Sequence, residues 1–157
     1  MNAKRVDPSN LEAEEALLGA MLLGRDAIQA GADALSSADF WKPAHAAIFD
    51  AVLRTFEEAQ SVDPVTVSET LRQAGQLEQL GGRAALLRLQ AQAPASGNAR
   101  HYARIVAELA ALRRALSLAA DLSETAYGGD LSEVESLLAL APERLAAPLG
   151  TVDIPME

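Results

Sequence analysis

The sequence predicts an all-α fold, a compact multi-helix head followed by a long antiparallel helical hairpin, and three observations lead there. The chain of 157 residues holds 33 Ala and 24 Leu against only 8 Val, 4 Ile and 5 Thr, so strong helix formers far outnumber the β-branched residues that sheets favour. Capping residues, glycines and prolines recur at helix-length intervals. Between about Asn98 and Tyr127 apolar residues follow alternating spacings of three and four with no breaker among them. Half of the residues are hydrophobic and 22% are charged, the balance of an ordinary globular chain large enough to bury a core.

The elements follow in order. Residues 1–8 read as a flexible tail. Ser9-Asn10-Leu11-Glu12 has the pattern of a capping box opening a first helix to about Leu23, with Leu11, Leu18, Met21 and Leu22 on its inner face. Asp26 is placed to cap a second, short helix carrying Ile28 and Leu35. Asp39-Phe40-Trp41-Lys42-Pro43 forms a corner, and Pro43 suits the first turn of a third helix over about 43–59. Val62-Asp63-Pro64-Val65 reads as an extended link, and Thr66-Val67-Ser68-Glu69 as a capping box for a fourth helix ending at Gly75. Gly81-Gly82 precedes a fifth helix, about 83–92, which Pro94 terminates. The head thus covers 9–95 and the hairpin 96–147.

The hairpin opens with a helix of roughly 45 Å at 1.5 Å per residue, whose seam is Tyr102, Ile105, Leu109, Leu112, Leu116, Ala119, Ser123 and Ala126. Gly128-Gly129 breaks it, and Asp130 with Glu133 caps a return helix whose seam is Leu131, Val134, Leu138, Ala141 and Leu145. Leu118, Leu122, Leu137 and Leu140 lie beside this seam and broaden its apolar face. Pro142 cannot sit inside a regular helix, so the return helix kinks or restarts there, and residues 148–157 begin a linker. An arm with so much apolar surface calls for a second chain, the alternative being that it folds back on its own head. Leu109, Leu112, Leu116, Leu131, Val134 and Leu138 are the expected pairing residues.

Composition excludes several chemistries. With no cysteine, disulfides, thiolate metal sites and cysteine nucleophiles are ruled out. No apolar run reaches the ~18–20 residues of a membrane span, and the amino terminus lacks the apolar core of a secretory signal, so a cytoplasmic protein without membrane contact is expected. Gly19 through Asp26 has the outline of a phosphate-binding loop, but it lies within a helix and puts Asp where a magnesium-binding hydroxyl belongs. His45 and His101 are isolated, and His45 is expected to bond a backbone group near its helix start. Glu14 and Glu15 point about 100° apart on a helix and read as solvated charge. Phe40, Trp41, Phe49 and Phe56 read as core, with an exposed anchor for a partner as the alternative for Trp41.

The net charge of −9 is uneven, with residues 115–157 carrying one basic and eight acidic side chains. Arg100, Arg104, Arg113 and Arg114 line the first half of the long helix, while Glu124, Glu133 and Glu135 make the far end acidic. Arg113, Arg114, Glu124, Glu133 and Glu135 are therefore the candidate partner-docking residues.

Several blocks in fixed order resemble the amino-terminal domain of DnaB, the bacterial replicative DNA helicase family. They are Asn10-Leu11-Glu12-Ala13-Glu14 running into Leu17-Leu18-Gly19-Ala20-Met21-Leu22-Leu23, Asp39 to His45 with Ile48-Phe49, and Val62 to Val67. Gly81-Gly82, Pro94 to Asn98, and Tyr102-Ala103-Arg104-Ile105-Val106 leading to Arg113-Arg114 complete the series. The match runs over about 9–127 and continues more loosely to about 147.

The resemblance implies a module of a hexameric ring that unwinds DNA with ATP and Mg used in a separate carboxy-terminal RecA-like motor. In that family the domain pairs into dimers, three dimers form a collar, and the collar docks the carboxy-terminal domain of primase DnaG near the contacts of helicase loaders. DNA is met only through the full ring. The motor is missing from this sequence, which implies a fragment or a free-standing relative with no cofactor and no ATPase activity of its own. Ala85 stands where relatives commonly carry an aromatic linked to primase docking, which weakens that role. Alternatives are the helicase-binding domain of primase, a stand-alone helical regulator, or a small DNA-binding protein using the arginine sector. The negative charge weighs against the last of these.

Overall fold

The computed structural model describes residues 5–94 and 98–146, and these contain eight α-helices and two short 3-10 turns. The helices are α1 (Leu11–Met21), α2 (Arg25–Ala34), α3 (Pro43–Ala59), α4 (Pro64–Gln73), α5 (Gly82–Gln92), α6 (Ala99–Tyr127), α7 (Leu131–Ala139) and α8 (Ala141–Leu145). Helix α1 is the hub of the head, packing against α2, α3, α5 and the first half of α6. Around it Leu17, Leu18, Met21, Leu22, Leu35, Phe49, Val52, Val67, Leu71 and Leu86 are fully buried, and the Phe40 and Phe49 ring centroids lie 4.8 Å apart.

Helix starts obey the chemistry of free amides, though not always at the expected residue. Asn10, and not Ser9, caps α1: its Oδ1 accepts from the Ala13 amide at 2.9 Å. The helix ends at Met21, two residues before Leu23, and Leu11 is 37% exposed because its first-turn position lies outside the buried stripe of Ala13, Glu14, Leu17, Leu18 and Met21. Helix α2 starts at Arg25 behind Gly24, so Asp26 sits within the first turn, where its charge still complements the helix dipole. Helix α4 begins three residues earlier than a cap at Thr66 suggests. Asp63 Oδ1 accepts from the Thr66 amide at 2.8 Å, Thr66 Oγ1 accepts from the Asp63 amide at 3.0 Å, and Pro64 has its φ preset for the first turn. Gly75, with φ +72°, follows the end of the helix as expected.

The corner at 39–45 departs most from expectation. Glu14 is 1% exposed, so it is no solvated charge, and it sits beneath the amino terminus of α3, where backbone amides need acceptors. Its Oε2 accepts from the Trp41 amide at 2.7 Å, and its Oε1 accepts from His45 Nδ1, also at 2.7 Å. His45, 3% exposed, is therefore bonded to a carboxylate and not to the backbone. Trp41 is not core either. Pinning its amide inward turns the indole outward, 41% exposed, with Nε1 3.5 Å from Asp7 Oδ2.

Helix α5 crosses α1 at Gly19, where an added Cβ would lie 2.3 Å from the Leu89 carbonyl oxygen and 2.9 Å from Ala93 Cβ. Backbone cannot yield as a flexible side chain does. Gly19→Ala is expected to lower the stability by about 1–3 kcal/mol, read as a lower urea midpoint with an unchanged slope. An unchanged midpoint would mean that the two helices are free to separate.

Candidate functional site

The long helix α6 plays two parts. Its first half buries Ala99, Ala103, Val106 and Ala110, spaced by four, three and four, against the head. Its second half carries α7 and α8, which pack back along it. Asp130 starts α7 with Oδ1 accepting from the Glu133 amide at 3.0 Å, and Pro142 restarts the chain as α8 in the way its chemistry demands.

Of the side chains that close this hairpin, only Val134 belongs to the expected seam. Leu118 is buried and Leu122, Val134 and Leu137 are half-buried. By contrast Leu112 and Leu116 are each 53% exposed, Leu131 is 70% and Leu138 56% exposed, and Leu109 is half-buried. Spacings of three and four are satisfied by two neighbouring apolar stripes on these helices, and spacing alone does not tell which faces the intramolecular partner. Leu140 and Leu145, 53% and 43% exposed, continue the open surface along the return helices. Four of the six expected pairing residues, Leu112, Leu116, Leu131 and Leu138, therefore form a leucine ridge that the chain itself leaves uncovered, while Leu109 and Val134 are half-buried.

Of the five candidate docking residues, Glu124, Glu133 and Glu135 are exposed on the acidic arm. Arg113 and Arg114 are half-buried and turn their guanidinium groups inward. Arg113 donates to the Pro8 and Asp39 carbonyl oxygens, both at 2.6 Å, and Arg114 donates to Asp39 Oδ1 at 3.0 Å and to the Leu145 carbonyl oxygen at 3.2 Å. Their donors serve the fold, which removes half of the expected basic sector from the surface. Residues 5–8, expected as tail, carry no regular secondary structure, yet Pro8 is held by Arg113. The expected linker, 148–157, lies outside the described residues.

Among the described residues no group of three or more His, Asp or Glu side chains is placed to hold a metal ion. Nor is any described helix long and apolar enough to cross a membrane. The open leucines and the acidic side chains beside them are the features available to a partner.

Comparison with known proteins shows the family and the fold. The family model described as the DnaB-like helicase N terminal domain matches residues 6–108. The chain is 36% identical over 143 residues to the replicative DNA helicase DnaB of Geobacillus stearothermophilus, covering 91% of this chain and 31% of that protein. It is 39% identical over 134 residues to the DnaB of Mycobacterium leprae, covering 83% of this chain and 22% of that one. The chain thus spans about a third or less of the length of these helicases. The crystal structure of the N-terminal domain of DnaB helicase from Mycobacterium tuberculosis superimposes with a TM-score of 0.80 at 36% identity, covering 89% of this chain and 99% of that domain. The N-terminal domain of DnaB from Helicobacter pylori, described with its interactions with primase, shares the fold with a TM-score of 0.64 at 21% identity, covering 73% of this chain and 89% of that one.

Proposed function

The chain belongs to the DnaB-like helicase N-terminal domain family, and on that premise we propose that it is the collar module of a replicative helicase. It joins copies of the chain and offers docking sites that exist in the assembled ring. The observation that carries the reading is the leucine ridge: Leu112, Leu116, Leu131 and Leu138, on α6 and α7, each lie at least half open to solvent. Solvent-exposed leucine at this density is stabilised by covering it, and a second copy supplies the matching apolar surface.

In this reading residues 9–95 are the head, 96–147 the hairpin used for pairing and docking, and 148–157 the start of the connection to an ATP- and Mg-using motor. Pairs assemble into a trimer of dimers in the cytoplasm, where the collar receives the carboxy-terminal domain of primase and the loader, and DNA is met through the whole ring. The exposed Glu124, Glu133 and Glu135 give the docking face its negative sign. Assembly and docking are then linked, each favouring the other. The family match weighs against the alternative that this is the helicase-binding domain of primase.

The absence of cysteine makes the test clean. Single cysteines introduced at Leu116 or Leu138 are expected to form covalent dimers with a short bismaleimide. A cysteine at Val65, which is 54% exposed on the head, is expected to stay monomeric. Equal cross-linking from position 65 would show that the copies meet elsewhere.

A further inference from the structure

Two consecutive side chains of α6 gather parts of the chain that are far apart in sequence. Arg113 holds the Pro8 and Asp39 carbonyls, while Arg114 holds the Asp39 carboxylate with Nη1 and the Leu145 carbonyl with Nε. Asp39 is only 2% exposed, and its second carboxylate oxygen accepts from the Ser36 amide at 2.9 Å. Leu145 is the last residue of α8, so its carbonyl has no amide within the helix to receive. Beside it Arg144 reaches back to Ser117 Oγ at 3.1 Å and to Asp121 Oδ2 at 2.7 Å. Helix α8 is thus held to α6 by bonds donated in both directions.

The donors of a guanidinium lie in one rigid plane. Arg114 can satisfy the Asp39 carboxylate and the Leu145 carbonyl together only when the head corner and α8 keep one relative position. We propose that Asp39, Arg113 and Arg114 form a latch that couples the corner of the head to the docking of α8 on α6, so that the hold on α8 depends on the state of that corner. Arg113 brings the amino-terminal segment into the same device through Pro8. The latch holds whether or not the leucine ridge pairs, and its test leaves that reading aside.

Two conservative variants test it. Arg114→Lys keeps a positive charge for the buried Asp39 but replaces the planar fork with a single ammonium group, which cannot span both acceptors. Asp39→Asn removes the charge at the other end, at a residue with no hydrogen bond to α8. Amide exchange followed by NMR in dilute solution reads the outcome at the Arg144 and Ala146 amides, which bond to the Leu140 and Pro142 carbonyls. Both variants are expected to raise exchange in α8 at least fivefold and to leave the α1 and α3 amides at their parental rates. Exchange in α8 that stays at the parental rate in Arg114→Lys overturns the latch. So does a rise of equal size in α1 and α8, since that reports general loss of stability and no specific coupling.

Discussion

Leu116→Asp is expected to weaken pairing by more than 100-fold and leave the fold intact. The side chain is 53% exposed and lies outside the buried core cluster, so in the isolated chain the substitution disturbs no core contact. In the paired state it removes apolar burial worth about 1 kcal/mol for a half-covered leucine and sets a carboxylate in an apolar contact without a partner. Because both copies carry the change, the loss counts twice in a dimer. A total near 3 kcal/mol corresponds to the stated factor, since 1.4 kcal/mol is about tenfold. Sedimentation velocity on the variant should show a slower, single species at concentrations where the parent pairs, with unchanged circular dichroism. Parental sedimentation in the variant would place the contact away from Leu116.

Glu14→Ala is expected to be the most damaging single change in the head. The carboxylate is buried and receives the Trp41 amide and His45 Nδ1, each at 2.7 Å. Its removal leaves the Trp41 amide and His45 Nδ1 without their acceptor, at about 1–3 kcal/mol for each unsatisfied donor. At this chain length that lowers the melting temperature by roughly 10 °C. The double variant Glu14→Ala/His45→Leu separates the pair from its surroundings. If the two groups act together, the second substitution costs less in the Glu14→Ala background than alone, by about 1 kcal/mol or more. Equal cost in both backgrounds would mean that His45 is held by packing alone.

Much of the helical framework was legible in the sequence because its boundaries are set by local chemistry. The span of α3, Pro43 to Ala59, follows from a proline suited to the first turn, and the end of α6 follows from Gly128-Gly129. Pro142 announces the break between α7 and α8 for the same local reason. The start of α4 was less legible, since Asp63 and Thr66 can each cap a helix. The choice falls to Asp63 because Thr66 also returns a bond to it.

What local chemistry does not carry is the meeting of distant segments. Glu14 reads as a surface acid among its helical neighbours, and only the arrival of the α3 amino terminus makes it a buried acceptor. Arg113 and Arg114 read as a basic patch until Asp39, Pro8 and Leu145 are brought to them. On the ridge, the pattern identified the apolar residues, but which stripe stays open depends on how α7 and α8 fold back. Leu118 and Leu122 turn toward the return helices, and Leu112 and Leu116 are left facing solvent.

The most direct test is the molar mass of the unmodified chain by static light scattering from micromolar to millimolar concentration. A mass that climbs to at least twice that of one 16.5 kDa chain, and that falls back in Leu116→Asp, is the predicted result. A constant single-chain mass across the whole range would contradict the assembly role of the leucine ridge.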